Sequence, residues 1–209
     1  MAFVLTNTGK SMLTSIVSGN PITYYLSAGI NPSALTSAIT DIALFSETAP
    51  RAVATVSAAT TTTTNDTLKI TGIWTPSTTV TLQEAGVNDS VTTPLAGLLQ
   101  SSSTVIGSAT GTSVVSNTPL SPGNGNYIQI RSEVMQVSAG SGTTTLTVVR
   151  GQNGTTPLTT LAANDPIAQG NVPGAPNIIG GNLMLKADYA PLTLTTGDTV
   201  VFTWEVVFA

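Results

Sequence analysis

The chain has 209 residues, 6 Lys and Arg against 10 Asp and Glu, a formal net charge of −4, and neither His nor Cys. Disulfides, iron–sulfur clusters, thiol nucleophiles, imidazole bases and ordinary zinc sites are therefore excluded. Six scattered cations cannot neutralise many phosphates, which argues against nucleic acid or an anionic membrane as partner.

Hydrophobic residues make up 41% of the chain, enough for a real core, while Thr and Ser supply about a quarter, giving a polar but uncharged surface. No apolar run approaches the roughly 18 residues of a membrane span. Met1-Ala2-Phe3-Val4-Leu5 lacks the basic segment of a signal peptide. Ser11–Val17 fits two helical turns or a short strand. Ile22–Leu26 has strand composition, and Ser33–Ile39 reads as one short helix with a serine N-cap. Asn20-Pro21 and Asn31-Pro32 punctuate the chain around them.

From Arg51 onward the pattern is that of strands. Ala52–Ser57 alternates in part. Thr67–Trp74 alternates strictly, with Leu68, Ile70 and Gly72 on one face and Lys69, Thr71 and Ile73 on the other. Val80–Glu84 alternates again after a Thr75-Pro76-Ser77 turn. A spacing of about ten residues per strand suits an antiparallel sandwich or barrel. Thr60–Thr64 reads as a solvated connector, and residues 95–126 in part as a linker. Tyr127–Val137 reads as strand, turn, strand, and Thr144–Val149 as a further strand ending at Asn153-Gly154, a pair suited to a tight turn. The Gly- and Pro-rich stretch from Gly170 to Gly181 is a natural boundary. The strongest strand signal is Thr199–Phe208, with Val201, Thr203, Glu205 and Val207 on one face and Val200, Phe202, Trp204, Val206 and Phe208 on the other. So apolar a strand is expected to be central in a sheet or paired with another subunit.

Candidate chemistry is sparse. Asp66, Asp89, Asp165 and Asp198 sit beside turn residues, and turn formation explains them. Glu47, Glu84 and Glu205 lie on or next to predicted strands, and Arg51, four residues after Glu47, is its expected ion-pair partner. Serine–lysine catalysis would need Lys10, Lys69 or Lys186 desolvated beside a serine, and only Lys10-Ser11 are adjacent. Gly151-Gln152-Asn153-Gly154 lacks the lysine and helix of a phosphate loop. Nothing catalytic, no metal site and no cofactor site emerges.

Several segments together resemble small structural virion proteins of tailed bacteriophages. Leu44-Phe45-Ser46-Glu47 followed by Arg51-Ala52-Val53 resembles an L-x-x-E…R step in those proteins, and Glu84-Ala85-Gly86 their E-x-G step. Gly197-Asp198-Thr199-Val200 with Trp204-Glu205-Val206 resembles their closing strand. Ile130–Met135 with Val148–Thr155 resembles a β module of phage head and tail proteins, an RG…GT pattern, although Leu161 stands near the place of its usual histidine.

The resemblance implies an all-β fold: a jelly-roll-like antiparallel β-sandwich made of residues 1–100 plus 175–209, with a small β domain, 101–174, inserted. It also implies a non-enzymatic capsid cement or decoration protein, made in the host cytoplasm and placed on the outer capsid surface. Such a protein forms a homotrimer in contact with the major capsid protein. The alternative is a tail or fibre component binding host-surface glycans, for which Tyr24-Tyr25 is the candidate platform. Trp74, Leu82, Phe202, Trp204 and Phe208 are expected to carry the fold, with Glu47, Arg51 and Glu84 in structural roles. The N-terminal segment Phe3, Val4 and Leu5 is the expected contact arm.

Overall fold

The computed structural model describes residues 3–17, 22–31, 34–61, 64, 66–92, 97–99, 112–172 and 180–207. Over these residues the protein is all-β and sandwich-like, with one helix. The chain begins with β1 (Phe3–Leu5), α1 (Asn7–Val17), β2 (Tyr25–Gly29), β3 (Glu47–Val53), β4 (Thr55–Ala59), β5 (Thr67–Trp74) and β6 (Val80–Asn88). It continues with β7 (Gly97–Leu98), β8 (Ser113–Leu120), β9 (Tyr127–Ile130), β10 (Glu133–Ala139), β11 (Thr143–Gln152) and β12 (Pro166–Gly170). It returns with β13 (Leu183–Leu194) and β14 (Val200–Val207).

Two antiparallel sheets make the sandwich: a five-stranded one ordered β1-β13-β6-β2-β3 and a three-stranded one ordered β14-β5-β4. The alternation of β5 and β14 decides what lies between them. Ile70 and Trp204 point inward and are buried, joining Leu26, Val87, Leu185 and Ala187 of the larger sheet. Ile73 and Val201, cross-strand partners on the opposite face, are 60% and 59% exposed. Trp74 and Leu82 are fully buried in an adjoining cluster, against which Phe202 packs. Phe208 lies outside the described residues.

The larger sheet is covered on both faces. Along β6, Ala85 and Val87 enter the sandwich core, while Glu84 and Gly86 are buried beneath the segment 38–46 and Asn88 donates to Ser27 Oγ at 2.6 Å. Helix α1 lies against β13; Thr6 Oγ1 accepts from the Gly9 N–H at 2.9 Å, capping its first turn.

The six-stranded sheet, β7-β12-β9-β10-β11-β8, is built wholly from residues between Gly97 and Gly170. Those residues lie in the chain between β6 and β13, which are neighbours in the other sheet. An antiparallel bridge between Leu99 and Ser116 joins its two ends, so it closes into a small barrel. Ile128, Ile130, Met135, Val137, Leu146 and Val148 fill its interior. Asn153 and Gly154 take φ of 54° and 78°, the backbone of a tight turn that Asn-Gly suits.

Four expectations change. The helix expected over Ser33–Ile39 does not form among its described residues: Ser33 lies outside them, and residues 34–38 are irregular, because Asn31 bonds the Leu35 N–H and C=O and Asp188 takes the Ser37 N–H at 2.5 Å. Within the expected linker, Ser113–Leu120 is a barrel strand, since its alternate residues Val114 and Ser116 are buried. Of the two placements expected for Thr199–Phe208, central in a sheet or paired with another subunit, the first does not hold: its described strand, β14, lies at the edge of the three-stranded sheet. And Phe3–Leu5 is no free arm: the segment pairs with Leu185–Ala187, and Leu5 packs against the core.

Candidate functional site

Among the carboxylates that enter the protein interior are Glu47, Glu133, Asp41 and Glu84, each facing a buried cation. Glu47 and Arg51 pair at 2.5 and 2.7 Å with side chains 4% and 2% exposed; Arg51 Nη1 also donates to the Ser90 and Gly180 carbonyls. The guanidinium thus ties β3 to two loops. Glu133, fully buried, accepts from Arg150 twice and from the Gly151 and Leu158 N–H groups, fixing the RG…GT turn. The turn aspartates bond turn backbone: Asp66 takes the Thr61 N–H, Asp165 that of Ala162, and Asp198 that of Thr195. Asp89 bonds the backbone N–H and side chain of Asn182.

The remaining two acids form a node that sequence spacing does not show. Lys186 on β13 is wholly buried, with Nζ 3.0 Å from Asp41 Oδ2 and 3.5 Å from Glu84 Oε2. It also lies 3.3 Å from the Ala43 carbonyl and 3.0 Å above the centre of the Phe45 ring. Glu84 accepts the Phe45 and Ser46 N–H groups. Gln129, from β9 of the barrel, donates to Asp41 Oδ1 at 2.7 Å and accepts the Ile42 N–H at 2.8 Å. The node therefore joins the segment 38–46, the large sheet and the barrel. Close packing supports the same junction: a Cβ on Gly170 would collide with the Ile42 carbonyl oxygen.

No family model matches this chain, and neither a curated protein nor a solved structure matches it.

Among the described residues no group of three or more His, Cys, Asp and Glu is placed to hold a metal ion, and no helix is long and apolar enough to cross a membrane. A cleft of about 340 Å³ between residues 31 and 34–36 on one side and strands β6 and β13 on the other is lined by Asn31, Gln83, Asp188 and Tyr189. Asn31 and Asp188 are already engaged in holding that segment, and Tyr189 donates its hydroxyl to the Glu84 carbonyl. Tyr24 is 3% exposed within the sandwich core and Tyr25 is half-buried, so the pair does not present two exposed rings. Of the exposed large apolar side chains, Val56, Ile73, Val201 and Val207 lie on the three-stranded sheet, while Val53, Val149 and Leu192 lie on strands of the other two sheets; the outer face of the three-stranded sheet carries Ile73, Val201 and the Lys69–Glu205 pair, 3.8 Å apart.

Burial pushes the Glu47 and Glu84 carboxyls above their ordinary value of 4.5, against the pull of Arg51 and Lys186 respectively. Raised acids bind protons more tightly in the folded state. Their contribution to stability is complete below that ordinary value and is lost as pH rises through the folded one. Asp198, lowered by its bonds to Thr195, acts in the opposite sense, but only below its ordinary 3.8. The melting temperature is therefore expected to hold or rise as pH falls from 8 to 5. A fall over that interval, read by circular dichroism, would contradict these assignments.

Proposed function

We propose that the protein is a non-enzymatic structural component of a tailed-phage virion, a cement or decoration protein of the outer capsid surface. It contacts the major capsid protein and assembles as a homotrimer. The observation that supports this reading is the three-stranded sheet. Among the described residues both its outer strands, β4 and β14, lack a second neighbour, and its outward face is nearly uncharged. β14 is eight residues long with a single charge, Glu205, which Lys69 offsets. An open edge of this kind is a ready template for another chain, and proteins that avoid such pairing place lysine or proline there. The buried acids, meanwhile, hold elements together rather than facing a cleft.

Val201→Lys supplies the missing guard on an exposed face. It is expected to leave the isolated fold within about 0.5 kcal/mol of the parent. It should also abolish the rise in shell melting temperature that the parent protein gives when added to capsids lacking it. No such rise with the parent, or an undiminished rise with the variant, would count against this reading.

A further inference from the structure

We propose that Lys186 and Asp41 condense within the folded protein into an intramolecular amide, with Glu84 carrying the protons. The reacting groups already meet: Nζ is 3.0 Å from Asp41 Oδ2, an ion pair that holds the amine beside the carboxyl group whose carbon it attacks. Lys186 and Glu84 are 0% exposed and Asp41 1%, so water is excluded from the reacting pair. Two carboxylates against one ammonium leave an uncompensated buried charge, which is costly. Joining one carboxylate to the amine removes a full pair of charges from that interior. Gln129 Nε2 donates to Asp41 Oδ1 at 2.7 Å, on the oxygen that gains charge as the carbon becomes tetrahedral. Glu84 Oε2, 3.5 Å from Nζ, is within reach of the proton that must leave the nitrogen. Burial also raises the Glu84 carboxyl, which suits it to accept and return a proton.

The step balances without a co-reactant. The ammonium first passes one proton to Asp41 Oδ2, leaving a neutral amine beside a neutral acid. The amine lone pair attacks Asp41 Cγ, forming the C–N bond, and the proton released from nitrogen passes to the Glu84 carboxylate. The Cγ–Oδ2 bond then breaks as Glu84 returns that proton to the departing hydroxyl. One water leaves, the amide carbonyl keeps Oδ1, and nothing is oxidised or reduced. The product ties the segment 38–46 covalently to β13 at the junction with the barrel.

Intact mass spectrometry of the folded full-length chain tests this directly. The expected mass is lower than that of the sequence by one water, about 18 Da. Digestion should yield a branched peptide joining Asp41 to Lys186. Lys186→Arg and Glu84→Gln, each checked for folding by circular dichroism, are expected to keep the full mass. The unshifted mass in the folded parent would overturn the proposal. So would a loss of water mapped to another site, such as a cyclised aspartate in a turn. A cross-link forming as fast in Glu84→Gln as in the parent would remove Glu84 from the step.

Discussion

Arg150→Met is expected to destabilise the protein by about 3–5 kcal/mol, because it strands a buried charge. Glu133 is fully buried and its two oxygens receive the guanidinium together with the Gly151 and Leu158 N–H groups. Without the arginine, the carboxylate remains in the barrel wall with two backbone donors and no counter-charge, and the Leu158 carbonyl loses its donor. For a chain of this size the melting temperature should fall by roughly 6–20 °C. Replacing both partners, as Arg150→Met with Glu133→Leu, should recover a substantial part of the loss, since no charge is then left buried. Thermal denaturation of the parent and the two variants gives the comparison. A single-variant loss below about 1 kcal/mol would mean that water reaches the pair, as at an exposed ion pair.

Trp74→Ala is expected to cost about 3–5 kcal/mol, the range for emptying a buried aromatic site. The ring fills the end of the sandwich against Ala28, Leu82 and Leu194, and its Nε1 donates to the Pro50 carbonyl at 2.7 Å. Trp74→Phe keeps most of the volume and loses that bond, so about 1 kcal/mol is expected from the unpaired carbonyl, plus a smaller packing loss. The exposed Lys69–Glu205 pair sets the lower end of the scale. Its coupling in a double-mutant cycle should lie between about 0.2 and 1 kcal/mol, because both side chains are solvated. Urea titration places the variants on one axis. A Trp74→Ala loss no larger than that of Trp74→Phe would contradict the packing described for this end of the sandwich.

The elements legible in the sequence are those whose neighbours repeat with the pleat. Thr67–Trp74 and the C-terminal strand are each buried on one face and open on the other, so a period of two marks them regardless of partner. The Glu47–Arg51 pair was visible because its members lie four residues apart on one segment. Ser113–Leu120 hides its period: Ser116 occupies a buried position that an apolar residue would ordinarily mark, and Asn117, Thr118 and Pro119 face solvent. Ser33–Ile39 carries helix-compatible residues, but Asp188, far away in the chain, takes the Ser37 N–H and holds the segment irregular. The node around Lys186 was illegible for the same reason. Its members come from the segment 38–46, β6, β9 and β13, and nothing in local spacing brings Asp41, Glu84, Gln129 and Lys186 together. Serine–lysine catalysis would need a desolvated lysine beside a serine. The lysine is desolvated, and its ionic neighbours are two acids.

The reading as a virion protein joins the open three-stranded sheet to a chain whose interior acids are committed to holding its parts together. Gold-labelled antibody raised against this chain, imaged on purified virions by negative-stain electron microscopy, tests it most directly. Label spread over the head is the predicted result. Label confined to the tail would contradict the capsid assignment, and particles without label, whether intact or gently opened, would contradict the virion assignment itself.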